Sequence, residues 1–231
     1  MLKMIRANIQ RYGRHLYNVM GEESPRVLYT IGLHEKVGLE IVLAGCVAVP
    51  VQVAAELVNR IGGALEEGVP PEELSLALSS TFGSFRLGPV HPSWSQRLLL
   101  GALDYYGLSH IKAFQVLPEP EKRSIDVPDM TIPFSPTTHP VWKWFEEKWP
   151  YHIEPHCRVI TNLDALRGRA VSDIFRTGER EWDMISGVAP EIPVDQFLQV
   201  PLALLLAYDA ELEVALTIPL GTGLFREYDS Q

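Results

Sequence analysis

The stretch Arg26-Val-Leu-Tyr-Thr-Ile-Gly-Leu-His-Glu-Lys-Val-Gly-Leu-Glu-Ile-Val-Leu-Ala-Gly45 constrains the fold most. Its two apolar, β-branched runs, 26–31 and 39–45, read as strands. A glycine-bounded loop carrying His34, Glu35 and Lys36 joins them. The pair predicts the sheet core of an N-terminal domain.

The flanking segments supply helices. Residues 3–12 place Ile5, Ile9 and Tyr12 at i, i+4 and i+7, with Gly13 as a natural stop. Pro50 opens a second helix to about Glu67, where Val51, Ala54, Ala55, Leu57, Val58 and Ile61 keep helical spacing. Residues 72–79 read as a short helix. Ser93 is placed to cap a helix ending at Tyr106. Further strands are expected at 15–20, 81–87 and 111–117.

Seven of the 18 prolines fall between Pro118 and Pro150. Proline fixes the backbone and removes a donor, so 118–140 reads as a linker or a long surface loop. The aromatic stretch Val141–Trp149 reads as a short helix whose tryptophans anchor packing. Beyond it come a strand at 152–161 and a hairpin formed by 170–176 and 181–186. A short buried helix at 200–208 and a helix at 210–216 capped by Asp209 follow, then a strand at 224–228. Helices and strands mix without βαβ alternation, which predicts an α+β fold. The expected organisation is an N-terminal α+β domain over 1–117, with helices on a mixed or antiparallel sheet. A proline-rich linker with its aromatic helix (118–150) and a smaller α+β module (151–231) complete it.

Charge is uneven. Residues 1–150 carry 14 Lys and Arg against 16 Asp and Glu, whereas residues 151–231 carry 6 against 13. An acidic surface repels phosphate, and no basic stripe with interleaved aromatics occurs, so nucleic-acid binding is not expected. The acidic third suits a basic protein partner, or simply a solvated face. No run approaches the roughly 18 apolar residues of a membrane span, and no signal peptide is seen, so no membrane association is expected. Two distant cysteines, Cys46 and Cys157, read as reduced thiols of a cytoplasmic protein.

Several blocks carry a family resemblance: Asn8-Ile9, Tyr12-Gly13, Tyr29-Thr-Ile-Gly-Leu33, Glu40-Ile-Val-Leu-Ala-Gly45, Ala102-Leu-Asp-Tyr-Tyr-Gly107 and Phe114-Gln115-Val116. Over residues 3–118 the chain resembles a bacterial family, domain of unknown function 4262. Where that family has His-Pro-Glu before its second strand, this chain has Gly38-Leu39-Glu40. The C-terminal third, with Trp182 in its hairpin and Asp209 in its helical segment, is similar to a small module of bacterial proteins that include immunity-type proteins. That resemblance implies binding rather than catalysis.

Three places have residues with chemical potential. His34 on a glycine-bounded loop is a candidate general base, oriented by Glu35 or Glu40. Tyr29, His34, Arg86 and Gln115 are candidate ligand contacts, with the Arg86 guanidinium as a fork for an anionic or amide-bearing ligand. On a strand, His152, Glu154 and His156 would share one face and offer a transition-metal or zinc site, although Pro155 belongs at an edge or bulge. No nucleophile elbow, P-loop or dinucleotide fingerprint occurs. The sequence does not decide between enzyme and binder, and it leaves the oligomeric state open. The leading expectation is a non-enzymatic protein-binding module of immunity type without a cofactor. The alternative is a small enzyme or ligand-binding protein with its site in the N-terminal domain.

Overall fold

The structure is a computed structural model and describes residues 2–20 and 24–226. The chain forms an α+β fold in two units. The first comprises Met1–Met20, Arg26–Arg123 and Val127–Ser135, and the second Gly21–Pro25, Ser124–Asp126 and Pro136–Gln231.

In the first unit, helix α1 (Leu2–Tyr12) leads into β1 (His15–Val19). Strand β2 (Val27–Ile31), the single-turn helix α2 (His34–Val37) and β3 (Glu40–Ala44) follow. Helix α3 (Val51–Glu66) precedes β4 (Ser75–Ser79) and β5 (Gly83–Pro89). Helices α4 (Pro92–Leu98) and α5 (Leu100–Tyr106) then lead to β6 (Ala113–Pro118). The sheet order is β1-β2-β3-β6-β5-β4, with β3 and β6 parallel and every other pair antiparallel.

Both strands of the opening motif are buried along their whole length. The apolar stripe of α3, formed by Ala54, Leu57, Val58, Ile61 and Leu65, packs with Leu28, Ile41, Leu43, Phe85, Leu87, Phe114 and Val116. Each Leu, Ile, Val or Phe among them contributes about 1.5–3 kcal/mol on burial. Gly62 in α3 gives up about 1 kcal/mol of helix propensity relative to alanine. Its role is spatial: a Cβ there would lie 2.3 Å from Arg14 Nη1. That guanidinium donates to Asn59 O at 2.6 Å and pairs with Glu66 at 2.9 Å, while Lys36 reaches Glu66 at 2.7 Å. The trio ties α2 and the α1–β1 turn to the end of α3.

Four local expectations need correction. Tyr12 is 63% exposed, so α1 buries only Ile5 fully. Residues 75–79 form a strand, not a helix, because Ser-Leu-Ala-Leu-Ser alternates at period two and pairs with β5. The helix expected from Ser93 to Tyr106 is broken at Leu99, whose φ of −97° and ψ of 35° leave the helical region. Its cap is His91, whose ring accepts from Ser93 N. The proline-rich stretch is irregular but not free. Residues 127–135 run along the first unit, with Met130 fully buried and Ile132 O accepting the Trp94 indole N–H.

The second unit contains β7 (Arg158–Asn162), α6 (Leu163–Leu166) and the hairpin β8 (Asp173–Gly178) and β9 (Glu181–Ile185). Strand β10 (Phe197–Pro201), α7 (Leu202–Tyr208), a 3-10 helix (Ala210–Leu216) and β11 (Gly223–Phe225) complete it. The sheet order is β10-β7-β9-β8-β11, with only β7 and β9 parallel. Asp209 caps the 3-10 helix by accepting from Glu211 N at 2.9 Å. The aromatic stretch forms a 3-10 helix, Pro140–Phe145, in which Trp142 and Trp144 are buried and donate to Asp126 O and Ala203 O. The strand expected from His152 starts only at Arg158, and the final strand ends at Phe225. Residues 227 and 228 of that expected strand lie outside the described residues.

Candidate functional site

The most constrained group in the first unit is Glu40. The β2–β3 ladder runs from Val27–Ala44 to Tyr29–Val42. Beyond it the Thr30 side chain enters the gap, and its hydroxyl accepts Ile41 N–H at 2.9 Å. The same hydroxyl donates to Glu40 Oε2 at 2.5 Å. Glu40 Oε1 accepts from Gly32 N at 3.0 Å, His34 N at 3.0 Å and the Tyr106 hydroxyl at 2.6 Å. Gly32 N also donates to the Tyr106 oxygen at 2.6 Å.

Backbone geometry sets this arrangement. Gly32 sits at φ +118°, and a Cβ there would meet Ile9 at 3.2 Å and the Arg14 Cα at 3.3 Å. Only glycine turns the chain there so that both N–H groups, its own and that of His34, face one carboxylate. Glu40 is completely buried. Burial pushes its carboxyl above the usual range, and the four hydrogen bonds only partly oppose this. Tyr106 is likewise pushed up by burial and then by the Glu40 charge. The group acts as a brace: an acceptor that closes the β2–α2 turn and binds it to α5.

The four candidate ligand contacts do not meet in one site. The register runs Tyr29, Val42, Gln115, Gly88 across the sheet, so Tyr29 and Gln115 share a face. Both are engaged. The Tyr29 oxygen accepts Gly101 N–H at 3.0 Å, its ring stacks on Tyr17 at 5.2 Å, and burial raises its pKa to about 12. Gln115 donates to Pro128 O at 2.8 Å and accepts from Met130 N at 3.3 Å. His34 is half-buried, its ring centroid 5.1 Å from that of Tyr106, and its Nδ1 is buried without a hydrogen-bond partner. Glu40 meets His34 through the backbone, not the imidazole. Arg86 is exposed and lines a separate cleft with Ser75, Ser84, Phe85, Glu119 and Pro120.

In the second unit His152, Glu154 and His156 precede β7, so strand alternation does not align them. Glu154 instead meets His156 at 3.1 Å and Arg180 at 2.8 Å. Among the described residues no three His, Cys, Asp or Glu side chains form a metal-holding group. Burial raises the Cys157 thiol, which lines a cleft with His152, Glu154 and Arg180.

The unit's sheet has unlike faces. Val159, Thr161, Ile174, Trp182, Met184 and Val200 are buried on one, where Trp182 donates to Ala215 O at 3.0 Å. The other carries Ile160 and Phe175, each 44% exposed, and Phe225, 76% exposed. Asp183 stands between Ile160 and Phe175 in the register. Asp173, Glu181 and Arg158 share this face by alternation.

Thr30, Tyr106 and Asp183 were not singled out by chemistry in the sequence, and Glu40 was read only as a possible partner of the His34 imidazole. For Glu40 a signal existed: a carboxylate opening an otherwise apolar strand needs donors once buried. Among the described residues no helix is long and apolar enough to cross a membrane. Neither the curated proteins nor the solved structures gave a match. Residues 8–123, half of the chain, match the family described as Domain of unknown function (DUF4262). Within that span, Tyr29–Leu33, Glu40–Gly45 and Ala102–Gly107 converge on the Glu40 carboxylate, and the chain belongs to this family.

Proposed function

We propose that this chain is a non-catalytic protein-binding protein whose second unit receives a basic partner. One observation carries the reading: the five-stranded sheet buries one face and leaves Ile160, Phe175 and Phe225 exposed on the other, among Asp173, Glu181 and Asp183. Exposed apolar side chains interleaved with charge are the makeup of an interaction surface. The acidic excess of residues 151–231 favours a cationic partner. The similarity of the C-terminal third to immunity-type modules, which act by binding, supports the same reading. The Glu40 brace supports it indirectly, since its carboxylate is enclosed and fully hydrogen-bonded rather than offered to a substrate.

The test is affinity isolation with the full chain as bait, at low and raised salt, beside an Ile160→Ser/Phe175→Ser bait. The expected result is a basic protein held by the wild-type chain, released by salt and lost by the variant. Equal retention by both baits would overturn the assignment to this face.

A second reading, a ligand site in the first unit, rests on Arg86. Among the described residues neither Arg86 nor Glu119 has a side-chain partner, and both line the cleft with the Ser75 and Ser84 residues. A guanidinium and two hydroxyls suit a carboxylate. Thermal shift with a panel of free amino acids tests it: a shift lost in Arg86→Ala supports the site, and no shift removes it.

A further inference from the structure

Resting on the binding reading above, we infer that Asp183 is the anchor of the open sheet face: it takes one arginine or lysine side chain of the partner, whose aliphatic stem lies between Ile160 and Phe175. Strand order sets the neighbours of Asp183. Strand β9 is the middle strand, with β7 and β8 on either side. Ile160 and Phe175 are the direct cross-strand partners of Asp183. Across the antiparallel β8–β9 pair, side chains so placed stand about 4.5–5.5 Å apart at Cβ. The carboxylate therefore stands between one aliphatic and one aromatic neighbour.

That carboxylate is incompletely satisfied. Its Oδ1 is shut off from solvent and has no hydrogen-bond partner among the described residues. Burial and the neighbouring Glu181 charge both push its pKa above the usual carboxylate range. Arg158 shares this face, and its register partner is Glu181, not Asp183. A carboxylate between apolar walls is costly to keep charged and gains most from a cation that brings its own hydrogen bonds. Arginine and lysine fit such a setting because their methylene stems cover apolar surface while the head reaches the charge. Phe175 adds a ring against which a guanidinium can stack. The acidic residues along the rim, Asp173 and Glu181, would steer the partner without supplying this contact.

The experiment titrates the isotopically labelled full chain with a hexa-arginine peptide, a hexa-lysine peptide and an uncharged peptide of equal length, following backbone amides by NMR. The expected result is that the basic peptides move the amides of Ile160, Phe175 and Asp183 and the uncharged one does not. Asp183→Asn keeps the side-chain shape and should weaken binding about tenfold, the equivalent of one good charge-assisted contact. Phe175→Ala keeps the charge, removes one wall and should weaken binding several-fold. Glu213→Gln, an acidic residue outside this face, should leave affinity unchanged. Basic peptides that bind equally to the wild type and Asp183→Asn, with shifts spread over other acidic residues, would overturn the anchor and leave the basic-partner reading standing. No binding of either basic peptide would overturn both.

Discussion

Replacing Glu40 by alanine removes the acceptor of four donors at once. Gly32 N–H retains the Tyr106 oxygen at 2.6 Å. The His34 N–H and the hydroxyls of Thr30 and Tyr106 lose theirs. A buried donor without a partner costs roughly 1–3 kcal/mol. Taking about 1.5 kcal/mol for each of three gives about 4–5 kcal/mol, and relief of a buried charge offsets part, leaving about 3 kcal/mol. Glu40→Gln is different. Its carbonyl oxygen keeps the three donors now on Oε1, and only the Thr30 contact is reversed, because an NH2 group faces a hydroxyl that already accepts Ile41 N–H. The expected loss is about 1 kcal/mol. The assay is urea unfolding together with amide hydrogen exchange across residues 29–42. Glu40→Ala should deprotect the amides of Gly32 and His34 well beyond the global change, and Glu40→Gln should not. Equal losses in the two variants, or less than about 1 kcal/mol for alanine, would refute the brace. A double-mutant cycle with Thr30→Val should be non-additive, since both residues serve one network.

Further outcomes follow from the same geometry. Gly101→Ala places a Cβ 2.6 Å from the Tyr29 hydroxyl and 3.2 Å from the Tyr17 ring, and should cost about 1–3 kcal/mol in urea unfolding. The raised Glu40 pKa means that the folded unit holds this proton more tightly than the unfolded chain. Its contribution is therefore most favourable below the ordinary carboxylate range and is lost as pH rises through the folded value. Unfolding midpoints of the wild type measured against Glu40→Gln over a pH series should show the difference narrowing as pH rises toward neutral. Glu66 runs the other way: burial alone would raise it, but Lys36 and Arg14 hold it low, so its contribution is lost as pH falls. Lys36→Met should cost no more than about 1 kcal/mol, because Lys36 is partly exposed, and the change should shrink in high salt.

The opening motif shows how much was legible in the chain. Residues 26–31 and 39–45 declared two buried strands, because an apolar run of that length has few other fates, and β2 and β3 fall where the pattern puts them. The α3 stripe and the 173–185 hairpin were equally local and equally readable. Residues 75–79 misled because five alternating residues beside two glutamates carry both periods, and only pairing with β5 selects the strand. His152, Glu154 and His156 misled for the same reason: their shared face required a strand that begins at Arg158.

The sequence alone determined the α+β class and the sheet core of the first unit, which rest on local periodicity and composition, and blocks such as Tyr29–Leu33 carried the resemblance to a family. Only the tertiary structure decided what those blocks do. Thr30, Glu40 and Tyr106 lie up to 76 positions apart and meet through a parallel crossover from β3 to β6 by way of α5. It also decided that Tyr29 and Gln115 are committed to internal hydrogen bonds, and that Asp183 stands between two exposed apolar walls. Burial and hydrogen-bond satisfaction are properties of the packed chain, and no local pattern encodes which carboxylate will be enclosed and which left open.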